Sequence, residues 1–188
     1  MNIISGTARN IILTVPAGLE VRPTSGRARK ALFDSLGSFA GVGVLDLCAG
    51  SGARALEAAS RGAARAHMVE ASSLHCRAIR ENIEKVKKAG VNTSFEVFNC
   101  DILNTACYLD AVYRSDLIFA DPPYAASAEL FSALFRNREF VCAASGCTVI
   151  WELPDTPGTT GCFIDNPVFA DFELRKFAST TFLKGVIS

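Results

Sequence analysis

Short apolar runs alternate with amphipathic stretches through the middle of the chain. The runs are rich in β-branched and aromatic side chains, which is typical of strands that are buried in a sheet. The five strands predicted in this way are Val42–Leu47, Ala66–Glu70, Ser94–Phe98, Asp116–Ala120 and Cys147–Glu152. Strands that alternate with helices favour crossover connections, so we predict an α/β fold with a mostly parallel sheet and helices on both faces.

The clearest helical pattern runs from Ser73 to Ala89. A serine at its start can cap the first turn, lysines near its end suit the negative pole of a helix, and Gly90 can end it. The apolar side chains that recur at helical spacing are Cys76, Ile79, Ile83 and Val86. This pattern predicts a helix that packs on the sheet and has no chemical role.

An N-terminal segment precedes the alternating core. Residues 3–5 and 11–15 predict a small hairpin around Gly6, and Thr24 can cap a short amphipathic helix. We predict that residues 1–41 form an extension of hairpin and helix that binds RNA and does not fold independently.

The C-terminal segment has a different pattern. Residues 162–185 carry β-branched and aromatic side chains without a helical period, and a turn rich in threonine and glycine at 156–161 precedes them. We predict two further strands here, so that residues 42–188 form the main domain with an antiparallel strand at its C-terminal edge.

Composition limits the class of protein. A length of 188 residues and a mass of 20.1 kDa predict one compact domain, and 49% hydrophobic with 20% charged residues is typical of a globular chain. No apolar run approaches the roughly 18 residues of a membrane helix, and the N-terminus lacks the pattern of a signal peptide. We therefore expect a monomeric cytoplasmic protein without membrane association.

Cysteine and histidine usage disfavours two kinds of site. The seven cysteines have no regular spacing, which is typical of free thiols in a reducing compartment. No Cys-x-x-Cys or His-x-x-x-His pair is present, so we predict no metal site. The two histidines also leave little basis for a Ser-His-Asp or Cys-His hydrolase.

Charge is balanced overall but uneven along the chain. The net charge is 0, which gives no bulk attraction to nucleic acid, yet five cations and one acid fall within the first 33 residues. The five cations are Arg9, Arg22, Arg27, Arg29 and Lys30. A local basic surface is predicted at the N-terminal end.

A glycine loop follows the first predicted strand. In the run Asp46–Ala53, Gly50 and Gly52 can turn the backbone tightly and let a ligand approach main-chain atoms. A Gly-x-Gly pair alone is equally typical of an ordinary strand-to-helix turn.

Acidic residues follow the next two predicted strands. Glu70 lies 24 residues after Asp46, where a nucleotide-binding fold places the acid that accepts from ribose hydroxyls. Asp101 could accept from an adenine amino group while Ile102 packs on the ring. Each acid could also be a helix cap or a solvated turn residue, but the carboxyl ends of parallel strands converge on one crevice.

The loop favours an adenosine cofactor without a pyrophosphate. A dinucleotide site has a third glycine where this chain has Ala55, and the Gly-Lys-Ser/Thr of a P-loop is absent. Asp46 would repel a pyrophosphate and suits a cationic group, such as the ammonium of a methionine moiety.

The most distinctive motif is Asp121-Pro122-Pro123-Tyr124, directly after an apolar strand. Prolines stiffen the loop, so Asp121 and the Pro122 carbonyl can lie side by side as acceptors with Tyr124 as an aromatic face. Such a pocket suits a planar ring with an exocyclic amino group. The alternative is a rigid loop in which Tyr124 only caps the core.

Together these motifs resemble class I S-adenosylmethionine-dependent methyltransferases that methylate amino groups. The N-terminal segment adds Ile3-Ile4-Ser5-Gly6-x-x-Arg9 and Arg22-Pro23-Thr24-x-x-Arg27-x-Arg29, which are similar to the bacterial family that methylates the exocyclic N2 of one guanine in 16S ribosomal RNA. That family usually has a more basic hairpin and an acid in place of Lys30. The resemblance covers nearly the whole chain and implies a Rossmann-like sheet.

The resemblance also implies roles for individual residues. Asp121, Pro122 and Tyr124 would be catalytic, acting by direct transfer of the methyl group to a guanine extruded from the RNA. The implied S-adenosylmethionine site is Asp46, Ala49, Gly50, Ser51, Gly52, Glu70, Asp101 and Ile102. The predicted phosphate contacts are Arg9, Arg22, Arg27, Arg29 and Lys30. The implied partner is 16S rRNA or an assembly intermediate of the small ribosomal subunit.

Three other functions fit parts of the pattern. A DNA or RNA adenine methyltransferase would share every cofactor residue. A nicotinamide oxidoreductase would need a dinucleotide site at the same loop. A non-catalytic RNA-binding factor for ribosome assembly would not need the motif at Asp121–Tyr124.

Overall fold

A computed structural model describes residues 1–16, 26–153, 163 and 166–188. The strands are β1 (Gly43–Leu47), β2 (Arg65–Val69), β3 (Ser94–Phe98), β4 (Leu117–Ala120), β5 (Thr148–Leu153), β6 (Phe169–Phe177) and β7 (Thr180–Ile187). The helices are α1 (Gly26–Ser35), α2 (Ala53–Ser60), α3 (Ser73–Lys88), α4 (Leu109–Tyr113), α5 (Ser127–Arg136) and α6 (Arg138–Ala143). The five predicted core strands and the helix after Ser72 are confirmed to within a few residues.

The seven described strands form one sheet in the order β3-β2-β1-β4-β5-β7-β6. Strands β1 to β5 are parallel to one another, whereas β7 is antiparallel to both β5 and β6. The predicted α/β class and the antiparallel C-terminal edge are therefore confirmed. The turn predicted at 156–161 lies outside the described residues.

The middle strands form the core. All residues of β1 and β4 are buried, as the continuous apolar runs predicted for strands covered on both faces. The chain moves outward from β1 to β3 and then returns to place β4 on the other side of β1. This reversal opens a crevice at the carboxyl ends of the parallel strands, where ligands bind in folds of this type.

The N-terminal segment folds back on itself around Gly6, where the sequence predicted a small hairpin. An isolated antiparallel bridge joins Asn2 to Ile12, the Ile3 N–H donates to the Ile11 carbonyl at 3.0 Å, and the Leu13 N–H donates to the Met1 carbonyl at 3.0 Å. The backbone between these pairs also bonds to α2, because Ile4 and Ser5 donate to the Glu57 carboxylate at 2.7 and 3.1 Å. The segment is therefore tied both to itself and to a helix of the main domain.

The helix predicted after Thr24 is confirmed as α1, although Thr24 itself lies outside the described residues. Ala28 and Leu32 are buried on one face and Leu36 is half-buried just beyond the helix end, as the periodicity predicted. Among the residues that the structure describes, no helix has the length and apolar character needed to cross a membrane.

Gly6 fixes the N-terminal segment against α2. Its φ is +82°, and a Cβ atom there would lie 1.8 Å from the backbone oxygen of Ser60. We expect Gly6→Ala to lower the free energy of unfolding by about 3 kcal/mol, because it adds an overlap with backbone to an unfavourable φ. Urea denaturation measures this.

Gly41→Ala is the matched control for this substitution. Gly41 has a φ of +83°, but no atom lies within 4 Å of an added Cβ. We expect a loss of about 1 kcal/mol from the backbone conformation alone. Equal losses for the two variants would contradict the close packing of Gly6 on Ser60.

Candidate active site

A cavity of about 740 Å³ lies at the carboxyl edge of the parallel strands, a volume within the usual range for ligand sites. Its wall contains residues that follow β1, β2, β3 and β4. The predicted catalytic and cofactor residues that line it are Ala49, Gly50, Ser51, Glu70, Asp101, Ile102, Asp121, Pro122 and Tyr124. Asp46 and Gly52 are not among the residues that line it. The structure thus brings together residues as distant in sequence as Ala49 and Tyr124.

The glycine loop joins β1 to α2 through left-handed backbone. Gly50 and Gly52 have φ values of +58° and +77°, as their predicted role in a tight turn requires, and Gly52 is the residue that precedes the helix. The Gly50 N–H donates to Oε2 of Glu70 at 2.8 Å, which ties the loop to the end of β2. The loop is thereby held open toward the cavity.

Glu70 is held by backbone donors on both carboxylate oxygens. Besides Gly50, it accepts from the Ser72 N–H at 2.9 Å, and Nδ1 of His75 lies 3.4 Å from the same oxygen. An ionised carboxylate has about four acceptor positions, so it retains capacity for the hydroxyls of a ribose. His75 lines the cavity as well and was not identified from the sequence.

Asp101 and Ile102 form the far end of the cavity. Asp101 is exposed and accepts from the Leu103 N–H at 2.8 Å. Ile102 is buried, and its carbonyl accepts a hydrogen bond from the buried Tyr108 hydroxyl. An apolar side chain beside an exposed carboxylate can bind an aromatic ring that carries an amino group.

Asp46 is a fully buried acid. Its Oδ2 accepts from the Ala55 N–H at 3.2 Å, whereas Oδ1 has no hydrogen-bond partner among the described residues. Burial raises the pKa of Asp46 to about 7, although the charge of Arg54 opposes this rise. An acceptor left without a donor is a feature that a bound cationic group would satisfy.

The raised pKa of Asp46 predicts a pH-dependent stability. Folding favours the neutral carboxyl of Asp46. The contribution of this group to the free energy of unfolding is therefore complete below about pH 4 and is lost as the pH rises toward about 7. We expect Asp46→Asn to exceed the parent protein in unfolding free energy by about 4 kcal/mol at pH 8 and to match it at pH 4.

Urea denaturation of the ligand-free protein at the two pH values measures this difference. Asp110→Asn, on an exposed acid, is the control and should differ little at either pH. An Asp46→Asn protein that is no more stable than its parent at pH 8 would contradict the assignment of a buried, destabilised carboxylate.

Asp121 belongs to an ion-pair network that sequence reasoning missed. Nη2 of Arg54 donates to Oδ2 of Asp121 at 2.5 Å and to Oε2 of Glu152 at 2.6 Å. The Tyr124 hydroxyl donates to the other oxygen of Glu152 at 3.3 Å. The Arg54 guanidinium therefore connects Asp121 to Glu152 near the end of β5, and Glu152 connects in turn to Tyr124 at the other end of the Asp-Pro-Pro-Tyr loop.

Arg54 remains a cation in this setting. Burial lowers the pKa of a guanidinium, but the adjacent charges of Asp121 and Glu152 raise that of Arg54 above its ordinary value. Glu152 could have been identified from sequence, because it ends a predicted strand as the other acids do. No spacing pattern indicates that Arg54 contacts it, since the two are 98 positions apart.

The predicted basic residues do not share one environment. Arg9, Arg27 and Lys30 are exposed, and Lys30 pairs with Asp34 at 2.5 Å. Arg29 differs from the prediction of a surface contact, because it lies on the inward face of α1 and is only 5% exposed. Arg22 lies outside the described residues.

The family model described as Conserved hypothetical protein 95 matches residues 1–152. The chain belongs to this family. Ribosomal RNA small subunit methyltransferase D of Escherichia coli (strain K12) is 31% identical over 125 residues, which are 66% of this chain and 60% of that protein. The matched region therefore spans about three fifths of that relative. The resemblance to ribosomal RNA methyltransferases inferred from the sequence motifs is confirmed.

Solved structures support the same fold. A hypothetical protein of Thermus thermophilus is similar over 100% of this chain and 99% of its own, with a TM-score of 0.69 and 27% identity. An RNA methyltransferase from Salinibacter ruber, in complex with S-adenosyl-L-homocysteine, has a TM-score of 0.61 at 15% identity and covers 88% of this chain and 93% of its own. The sheet is that of a class I methyltransferase.

Proposed function

We propose that this protein is an S-adenosylmethionine-dependent methyltransferase that modifies the exocyclic N2 amino group of a guanine in 16S rRNA. The observation that carries the proposal is the presence of Asp121 in one cavity with Gly50, Glu70 and Asp101. An amino-directed acceptor and an adenosine-type site thus share one space. The N-terminal motifs and the E. coli relative support rRNA as the substrate.

The residues present fit S-adenosylmethionine along the length of the cavity. Asp101 and Ile102 suit its adenine, and Glu70 suits the ribose hydroxyls. Asp46, a buried acid that precedes the glycine loop, would favour the positive charge of the amino-acid portion without contacting it. When bound, the cofactor supplies an electrophilic methyl group on a sulfonium ion.

Asp121 would act on the substrate nitrogen. An exocyclic amino nitrogen is a poor nucleophile because its lone pair is delocalised into the ring. Acceptors at Asp121 and the Pro122 carbonyl would hold its hydrogens and direct its lone pair toward the cofactor. The negative charge of Asp121 would also stabilise the positive charge that develops on nitrogen, a preorganised electrostatic effect.

Tyr124 and the exposed cations would bind the RNA. The Tyr124 ring lines the cavity beside Asp121, where a base can stack on it; such stacking contributes roughly 1–3 kcal/mol. The base must leave its helix to reach this pocket. Arg9, Arg27 and Lys30 would contact phosphates from the exposed N-terminal surface.

A methyl-transfer assay tests the proposal. The protein is incubated with labelled S-adenosylmethionine and either 16S rRNA or small subunits from a strain lacking the corresponding enzyme, and the digested nucleosides are separated by mass spectrometry. We expect N2-methylguanosine at one position. Label in N6-methyladenosine would identify an adenine methyltransferase, and cofactor binding without any transfer to RNA would contradict the assigned substrate.

A further inference from the structure

Arg29 is a buried cation in the cavity wall that the proposed chemistry does not use. Its Nη2 donates to the backbone carbonyl of Asn2 at 2.6 Å, and its Nε has no hydrogen-bond partner among the described residues. A guanidinium that is 95% buried rarely lacks an anionic partner. The acceptor of its Nη2 hydrogen bond is the uncharged backbone carbonyl of Asn2. The negative charge of Glu57 favours the charged form of Arg29 at longer range.

Arg29 lies at the glycine-loop end of the cavity. Asn2, which accepts from it, follows Met1, and the sulfur of Met1 accepts from the Ser51 hydroxyl at 3.6 Å. Met1, Ser51 and Arg29 all line the cavity. The end that contains Arg29 is therefore formed by the loop that follows β1, whereas Asp101 and Ile102 follow β3.

The charges in the cavity also distinguish Arg29 from Arg54. Arg54 already donates to two carboxylates, Asp121 and Glu152, so it has little capacity for a third anion. Arg29 has an N–H that meets no acceptor within the described part of the chain, and a charge that burial disfavours. An anionic group of a ligand would supply both the acceptor and the opposite charge.

We propose that Arg29 binds the carboxylate of the amino-acid portion of S-adenosylmethionine, and not an RNA phosphate. The inference rests on the proposed function, because it takes the cofactor from there. Arg29 can bind this carboxylate because the paired N–H groups of a guanidinium match the two oxygens of a carboxylate. Asp46 precedes the glycine loop at the same end, so its negative charge favours the ammonium of an amino-acid zwitterion without contacting it.

A comparison of two ligands tests the assignment by calorimetry, without methylation. S-adenosylhomocysteine carries the amino-acid carboxylate, and 5′-methylthioadenosine lacks the whole amino-acid portion. We expect Arg29→Gln to weaken S-adenosylhomocysteine binding by about 10- to 100-fold, the range of a charge-assisted hydrogen bond. Binding of 5′-methylthioadenosine should change less than about threefold, because it has no group for Arg29.

Two more variants complete the experiment. Arg138→Gln changes an exposed arginine at the start of α6, outside the cavity wall, and should leave both affinities unchanged. Arg29→Lys keeps the charge and the alkyl stem, so it should retain part of the S-adenosylhomocysteine affinity even if Arg29→Gln does not fold.

The outcomes separate this inference from the proposed function. Equal weakening of both ligands by Arg29→Gln or Arg29→Lys, or weakening of neither, would overturn the role of Arg29 while leaving the cofactor site in place. Failure of the unsubstituted protein to bind either ligand would contradict the proposed function itself.

Discussion

Asp121→Ala is expected to reduce the rate of methyl transfer to RNA by about 100-fold or more, with little change in cofactor affinity. The substitution removes both an acceptor for the amino hydrogens and the charge that stabilises the alkylated nitrogen. Asp121→Asn keeps one acceptor oxygen without the charge, so its loss should be smaller. Single-turnover rates with saturating labelled cofactor measure the chemical step.

Cofactor affinity and folding serve as controls for this result. Glu70 and Asp101 do not depend on Asp121 for their hydrogen bonds, so S-adenosylhomocysteine should bind the variant within about threefold of the parent affinity. Asp110→Ala, on an exposed acid, should leave the rate unchanged. An Asp121→Ala protein that methylates RNA at the parent rate would mean that the residue is not catalytic.

Arg54→Leu is expected to lower the rate by about 100-fold near neutral pH, although Arg54 does not transfer a proton or contact the proposed methyl acceptor. One nitrogen of its guanidinium, Nη2, donates hydrogen bonds to both Asp121 and Glu152. Without that cation, the two like-charged carboxylates repel each other and Asp121 is no longer held in place. An Asp121 carboxylate that has moved can no longer stabilise positive charge on the substrate.

The comparison of rate with cofactor affinity identifies this cause. We expect Arg54→Leu to lower the single-turnover rate while S-adenosylhomocysteine binds within about threefold of the parent affinity, because Glu70 and Asp101 keep their hydrogen bonds. An equal loss in rate and in cofactor affinity would indicate a general loss of structure.

A second substitution separates charge from packing. Adding Glu152→Gln to Arg54→Leu removes the like charge and keeps an oxygen for the Tyr124 hydroxyl, so part of the rate should return. Arg114→Leu removes an exposed arginine that pairs with Glu96 and is the control for losing an ion pair elsewhere. A double variant no faster than Arg54→Leu would exclude an electrostatic role for Arg54.

The sequence predicted the parts of the site that follow a local rule. Gly50, Glu70 and Asp101 each follow a strand, and the carboxyl ends of parallel strands meet, so position in sequence was enough to group them. The same rule applied to Glu152 would have added it. The parallel central strands and the antiparallel C-terminal edge also agree with the fold class predicted from the sequence.

The rest depends on tertiary contacts that no local pattern encodes. Arg54 was not singled out because its partners are 67 and 98 positions away. Arg29 was grouped with surface cations because arginine is usually exposed, although its place beside Ala28 and Leu32 puts it on the inward face of α1. The bonds from the N-terminal backbone to Glu57 and Ser60 of α2 were not predicted, because their partners are more than 50 positions apart in sequence.

A crystal structure of the protein with S-adenosylhomocysteine tests the central claim most directly. We predict that adenine lies on Ile102, that the ribose hydroxyls bond to Glu70, and that the sulfur faces the carboxylate of Asp121 across the cavity. A ligand bound elsewhere, or a sulfur turned away from Asp121 with adenine in its place, would contradict the proposed cofactor site and the catalytic role of Asp121.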